Sequence, residues 1–448
     1  MKKIIAMLLA LVLTLGMVAC GAKDEPAPDQ NTGTKTETQE PEKKPEDEEK
    51  KEPALEENVT IQFLANETAI LPRDFWQTVA DRYHEQTPNV TVEVIYQPSS
   101  NITVNEYAKT LLATGQFPDV MVMTTPSDYV SAGALMALDD ADVDMIADQY
   151  ISKIDGEIYV VPYKIQVGGV WYNKDMFVER GYEVPKTWEE FEAICDGFLA
   201  EGITPNVMGL KDGWAHVVPF GCVGAANLLL NDENWSSKRM AGEVSFADPE
   251  FVNVLEKFSK LMNEYNVSDK SSLTYVQSND YFFSGQVPMY VMGSWVQGMD
   301  LTTEHDFEVG YFPIPSESGE SIVPLWVNEG LSINAATEHP EVCKDFIRFF
   351  LEDEVWASQF LASEQLLSPL KTPISYESSP LHEEVVKVTE AGRGIPNLFD
   401  QVGDNAWMAG GSDLISKALI DIAAGGDMDK AVKNLDTEFD KLLENQAQ

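Results

Sequence analysis

Between residues 59 and 123 the apolar pattern switches period repeatedly, and few architectures tolerate that. Residues 59–64 (VTIQFL) alternate as a half-buried strand does, and the run ends at Ala65, Asn66 and Glu67. Pro72 then precedes a helical stretch with Phe75, Val79 and Tyr83 on one stripe. Pro88 and Asn89 stop it, and Val90, Val92 and Val94 alternate again. A second helical stretch covers residues 104–113 and ends at Gly115. Residues 119–123 (DVMVM) form a short apolar run, the mark of a buried parallel strand, and polar residues 124–128 (TTPSD) follow. This βαβαβ order predicts an open parallel sheet, hence an α/β fold. In such sheets ligands sit beyond the carboxyl ends of the strands. Asn66, Glu67, Thr124, Thr125 and Asp128 occupy those ends.

The rest of the chain mixes both periods. Residues 157–162 and 169–172 read as short strands, and so does the apolar segment 287–293. Thr187 followed by Glu190 is a capping box that opens a helix at Trp188. Another helix spans about 249–265, with Phe251, Val254, Leu255 and Phe258 on its apolar side. Residues 414–443 are helical with a break at Gly425 and Gly426. No repeat of solenoid period is present. A chain of 448 residues exceeds one compact core and predicts two or more lobes.

The N-terminus is of a different kind. Lys2 and Lys3 precede an apolar run over residues 4–18, and small residues follow at Ala19, Cys20 and Gly21. This is the build of a secretory signal, too short to be an ordinary membrane span. Residues 17–21 (MVACG) resemble the bacterial lipobox, whose cysteine is acylated and becomes the new N-terminus. Met17 stands where leucine is usual. Residues 21–57 hold no aromatic side chain and are rich in Glu, Lys, Pro, Thr and Asp. Such a segment buries too little surface to offset its ordering entropy, so it reads as a disordered tether. As a coil it would span on the order of 35 Å, and stretched about 100 Å. A plain spacer of untuned length is an equal reading.

Composition excludes several functions. Lys and Arg total 31 against 74 Asp and Glu, a formal charge of -43, which repels a phosphate backbone and excludes nucleic-acid binding. Beyond Cys20, the cysteines Cys195, Cys222 and Cys343 show no CxxC spacing and read as free and buried. The five histidines show no helical pair at ligand spacing, so no metal is expected, and no cofactor. There is no G-x-S-x-G elbow, HExxH or phosphate-binding loop. A cleft pair such as Glu67 and Asp128 could imitate a glycosidase, but with so many carboxylates chance pairs abound. The chain is therefore read as a binding protein, not an enzyme.

Six segments, in order, resemble one family. They are DGEIYVVPY at 155–163, VWYNKDMF at 170–177 and VPKTWEEF at 184–191, then FSGQVPM at 283–289 with GSW at 293–295, FEVGYFPIP at 307–315 and INAA at 333–336. Together they resemble the extracellular solute-binding proteins of carbohydrate ABC importers, of the maltodextrin-binding type. The resemblance covers residues 59–448 and implies a two-lobed periplasmic-binding-protein fold with a hinge crossed three times. Mapped on this chain, lobe one would hold 58–165 and 331–372, and lobe two 166–330 and 373–448. Function would then be capture of a mono- or oligosaccharide by lobe closure and delivery to permease subunits. The protein would be a monomer anchored through Cys20 at the extracytoplasmic face of the membrane. A same-fold receptor for a polyamine, peptide or phosphorylated solute is the alternative.

Sugars present flat C–H faces and rings of hydroxyls, so their sites need aromatic faces and side chains that donate and accept. The resemblance assigns Trp295, after Gly293 and Ser294, to stacking on a sugar ring. It further suggests Trp214 for stacking, Asp212 for hydroxyls, and Trp407 as a looser third aromatic. Trp326 and Glu329 lie beside a predicted hinge crossing, and Tyr163 and Gln166 at another. From the first lobe, Asn66, Glu67 and Asp128 complete the set. The family often has an aromatic after the third strand; here Tyr129 is the one candidate for that platform. Trp76, Trp171 and Trp188 read as structural.

Overall fold

A computed structural model describes residues 58–446, apart from 69, 99–101 and 328. Cys20 and the tether lie outside the described residues.

Among the described residues, ten strands form two separate sheets. They are β1 Val59–Ala65, β2 Val90–Tyr96, β3 Val120–Met123, β4 Val161–Pro162, β5 Gln166–Asn173, β6 Met289–Gly293, β7 Val309–Phe312, β8 Ile322–Trp326, β9 Gly330–Ile333 and β10 Arg393–Pro396. The first sheet runs β2-β1-β3-β9-β4, and the second runs β10-β8-β5-β6 with β7 also on β5. Strands β1, β2 and β3 are parallel, as their helical crossovers require. Strand β9 returns antiparallel to both β3 and β4, so this sheet is mixed rather than purely parallel. In the second sheet β10 is parallel to β8, whereas β5 is antiparallel to β6, β7 and β8.

Each sheet has its own core. In the first, the helix Arg73–Gln86 buries Trp76, Val79, Ala80 and Tyr83 against it. Trp76 replaces Phe75 on the buried face, and Phe75 packs on the Trp356 ring at 4.7 Å. The helix expected from capping chemistry begins at its Thr187 and Glu190 box, and a second box, Thr103 with Glu106, opens the helix Val104–Ala113. The C-terminal helical stretch divides into Gly411–Ala423 and Met428–Gln446, with the two glycines in the gap. Of the strand expected at 157–162, only residues 161–162 join the ladder. Ile154 and Glu157 instead bridge across a tight turn at Asp155 (φ 52) and Gly156 (φ 85).

The chain passes between the sheets three times: over residues 163–165, over 327–329, and after residue 366. Leu367 still bridges Ile165, and Leu370 bridges Ile146. The helix Pro380–Ala391 then packs on the second sheet. Cys195, Cys222 and Cys343 are free and buried.

Candidate functional site

The loops after β1, β3, β8 and β10 come together between the lobes. After β3, Asn105 donates to the hydroxyl of Thr125 at 2.9 Å and also bonds Thr124, which fixes this loop. Asp128 pairs with Lys109 at 2.6 Å. Facing them is the segment after β10, so that a cavity of about 160 Å³ is lined by Lys109, Thr124 and Asp128 from one lobe and Asp400, Trp407 and Asp413 from the other. A larger concavity of about 940 Å³ lies on the outside of the first lobe near Arg348 and Lys371. Its cations are already paired, Arg348 with Asp144 and Glu352, and Lys371 with Asp148. Of these two, the smaller is walled by strand-end loops of both lobes, so it is the candidate site.

Beside the cavity stands a row of aromatics. Trp214 is 39% exposed and lies on Tyr275, ring centroids 5.0 Å apart. Trp295 is half-buried, 6.2 Å from Trp214 and 6.4 Å from Trp326. Gly293 permits this: a Cβ there would stand 2.1 Å from the Trp295 ring. Gly168 does the same for Trp326, whose ring would meet a Cβ at 2.3 Å. The row ends at Asp400, which accepts from Trp326 Nε1 at 2.7 Å.

At the floor, the connections converge on one buried lysine. Lys164 Nζ lies 2.9 Å from Glu329 and 3.9 Å from Glu364. Tyr163 donates its hydroxyl to the same Glu329, and Asn66 Nδ2 reaches it at 3.5 Å. Burial pushes the Glu329 carboxyl up, but the Lys164 ammonium and the Tyr163 hydroxyl outweigh it and hold the group below the usual range. For Glu364 burial prevails over the more distant ammonium, and its pKa is raised. Burial pulls Lys164 down, and the two carboxylates more than restore it.

The remaining expected residues differ in their surroundings. Asn66 is set by Trp76, whose indole donates to the Asn66 carbonyl at 2.9 Å, while Glu67 pairs with Arg73 at 2.9 Å and Asp128 with Lys109. These polar groups stay partly exposed. Gln166 is buried in β5 opposite Trp326, and Tyr163 is buried in the first core. Asp212 accepts from the main-chain N–H of Tyr275 at 2.5 Å, the first residue of the helix Tyr275–Phe283, and so anchors the Trp214 turn. Trp407 and Trp326 are largely buried. The Trp407 N–H bonds the Leu398 carbonyl at 3.0 Å and its ring packs in the second core, leaving an edge on the cavity. Tyr129 does not supply the first-lobe platform: it is buried, stacked on Phe117 at 5.7 Å. The sequence reading missed Asp400, Lys109, Lys164 and Glu364.

Two α/β lobes joined by three connections, with strand-end loops walling a shared cavity, define a two-lobed solute-binding protein. The chain belongs to the bacterial extracellular solute-binding protein family, whose sequence profile matches residues 78–372. Among sequence relatives, an ABC transporter extracellular-binding protein of Pyrococcus horikoshii is 22% identical over 83% of this chain and 85% of its own length. The alpha-glucosides-binding periplasmic protein AglE of Rhizobium meliloti is 26% identical over 75% of this chain and 80% of its own. Among solved structures, a chitin oligosaccharide binding protein superposes with TM-score 0.74 at 19% identity, covering 86% of this chain and 99% of that one. The solute-binding protein RafE in complex with raffinose gives 0.68 at 20% identity, covering 85% and 98%.

Proposed function

We propose that this chain is the substrate-binding lipoprotein of an ABC importer, and that it captures a sugar, an oligosaccharide above all, by closing its lobes. The observation that carries this reading is the tryptophan row beside a cavity walled by both lobes. Aromatic faces match sugar C–H faces, while Thr124, Asp128, Lys109 and Asp400 offer acceptors and donors to hydroxyls. The cavity of about 160 Å³ is below the usual range of ligand pockets, so an oligosaccharide would continue from it along Trp295 and Trp214. Relatives named for alpha-glucosides and multiple sugars support the same ligand class.

Closure gives the mechanism. A ligand that touches both lobes only when they are closed shifts the population toward that form by its differential affinity. The closed pair of lobe surfaces then docks on the permease subunits. A micromolar site corresponds to about -8 kcal/mol. Stacked rings at roughly 1 kcal/mol each beyond burial, plus a few charge-assisted hydroxyl bonds, suffice for that. Cys20, acylated, would hold the monomer at the extracytoplasmic face of the membrane.

The test is a thermal-shift series with maltose, raffinose and chitin oligosaccharides, with spermidine and a tripeptide as controls. A ligand that binds only the folded state raises its melting temperature. Stabilisation by a sugar supports the reading. A response confined to spermidine or the peptide would keep the fold and reject the sugar. The anchor is tested separately, by labelling with a radioactive fatty acid that Cys20→Ala should abolish.

A further inference from the structure

Resting on the reading of the cleft as a sugar site, we infer that Asp400 is a ligand-contacting carboxylate, the acceptor for hydroxyls of the bound sugar, and that Trp326 is its positioning residue.

Asp400 lies in the loop after β10, beside the last residue of β8, Trp326. Its loop is preset: the main-chain N–H groups of Phe399 and Asp400 donate to Asn397 Oδ1 at 3.0 and 2.8 Å, and Asn397 is fully buried. The carboxylate lines the interlobe cavity opposite Thr124, Thr125 and Asp128. Among the described residues no lysine or arginine pairs with it. An ionised carboxylate offers about four acceptor positions. Trp326 Nε1 fills one at 2.7 Å. The Asn397 side chain bonds the same carboxylate. The acceptor positions that remain are at the cavity, and two adjacent sugar hydroxyls are suited to fill them.

A purely structural role, as a partner for the indole, fits poorly. Trp76, Trp171 and Trp407 all satisfy their indole N–H with a main-chain carbonyl, which costs no buried charge. Trp188 also donates to a carboxylate, Glu192, but Lys260 pairs with that acid at 3.0 Å. Trp326 takes an acid that no cation accompanies among the described residues, an arrangement that is costly. The arrangement also links two kinds of recognition. The acid orients Trp326, whose ring stands edge-on to Trp295 at 79°. The hydroxyl acceptor and the stacking face thereby form one braced unit.

Burial raises the Asp400 pKa to about 6, against the hydrogen bonds from Trp326 and Asn397. The other charged groups facing the cavity are Lys109 and Asp128, paired with each other, and the exposed Asp413. None of them is a histidine, so Asp400 is the group expected to titrate near pH 6. Hydroxyl donors favour the ionised form, so affinity should fall as it is protonated. With the pKa at about 6, the ionised fraction drops about tenfold between pH 7.5 and pH 5.

The experiment is calorimetry on the full-length protein with whichever of maltose, raffinose and chitobiose stabilises the wild type most, at pH 7.5 and pH 5. Asp400→Asn keeps shape and folding but removes the charge. It should bind at least tenfold more weakly at pH 7.5 and show a flat pH profile, where the wild type loses about tenfold. Trp326→Phe keeps a ring but removes the N–H that favours the ionised acid. Its pH midpoint should move upward, which a merely structural role would not produce. Asp400→Asn with affinity and pH profile within twofold of wild type would overturn this inference alone. Silence of the wild type toward all three sugars would overturn both it and the sugar reading.

Discussion

Lys164 Nζ sits 2.9 Å from Glu329, and through this ion pair the first connection between the lobes is held to the second. Glu364, 3.9 Å away, ends the helix that leads into the third. One ammonium thus serves all three connections, from a position almost closed to solvent. Replacing it with Met leaves two carboxylates buried without a cation. Such losses cost roughly 3–5 kcal/mol, so Lys164→Met should fall in that range in urea unfolding at pH 7.5. The sign of its pH dependence follows. Without Lys164 both acids have raised native pKa values, the folded state binds more protons than the unfolded one, and stability falls as pH rises. The variant should therefore lie nearest to wild type near pH 5. A loss that is equal at both pH values would rule out the buried charge as its cause.

Trp295 can be tested from two directions. Trp295→Ala should weaken sugar binding at least tenfold, about 1.4 kcal/mol or more, while the melting temperature of the free protein changes little, because the ring is half-buried at a lobe surface. Gly293→Ala leaves the indole in the chain but drives a methyl to within 2.1 Å of where it lies. The ring must swing away, and the affinity loss should approach that of the alanine variant. Full affinity in calorimetry for Gly293→Ala would mean that this orientation of Trp295 is not the one that meets ligand.

Local chemistry explains why much of the fold was readable. Thr187 and Glu190 satisfy each other's backbone within one turn, so their helix start needs no tertiary information. The same holds for Gly425 and Gly426 at the gap between the last two helices. The strand at 157–162 was over-read because Asp155 and Gly156 take positive φ and fold the chain back on itself. The site was far less legible. With 74 acidic residues, nothing in the sequence distinguishes Asp400 or Glu364 from their exposed counterparts. Their roles depend on Trp326 and Lys164, which only the packed lobes bring near. Trp407 shows the converse: an indole in a loop-like segment reads as a ligand platform, yet the ring fills a core against Phe246 and Phe439.

Two histidines should make the protein acid-sensitive. His382 is buried between Tyr376 and Gln297, at 2.6 and 3.0 Å, and His216 is buried against Ser416. Burial pulls both down to about 4 from an ordinary value of 6.5. With the folded pKa depressed, the folded state binds fewer protons, so their contribution is full above about pH 6.5 and is lost as pH falls toward 4. From pH 7 to pH 5 each should contribute about 2 kcal/mol of lost stability. His382→Gln should recover that increment of the slope in urea unfolding. An unchanged slope would place the acid sensitivity elsewhere.

The lobes also touch at the far rim of the cleft, and this contact offers a test of closure itself. The main-chain N–H of Asp155, in the first lobe's tight turn, donates to Asp404 Oδ1 of the second at 3.0 Å. The neighbouring Gly403 has φ 60, and a Cβ there would lie 2.7 Å from the Lys153 carbonyl. Gly403→Ala therefore both strains its own backbone, by about 1–3 kcal/mol, and pushes the rim apart. The penalty in the contact falls on the closed form. A shift of about 1.4 kcal/mol toward open lobes lowers apparent sugar affinity about tenfold even though no ligand-facing residue has changed. Asp404→Ala, which removes only the hydrogen bond, should cost less, about threefold. Small-angle scattering with and without saturating sugar reads the closure directly. Gly403→Ala should show a larger radius of gyration at subsaturating sugar, and approach the wild-type value only at higher concentration. A variant that closes at the same sugar concentration as wild type would show that this rim contact has no part in setting the closed population.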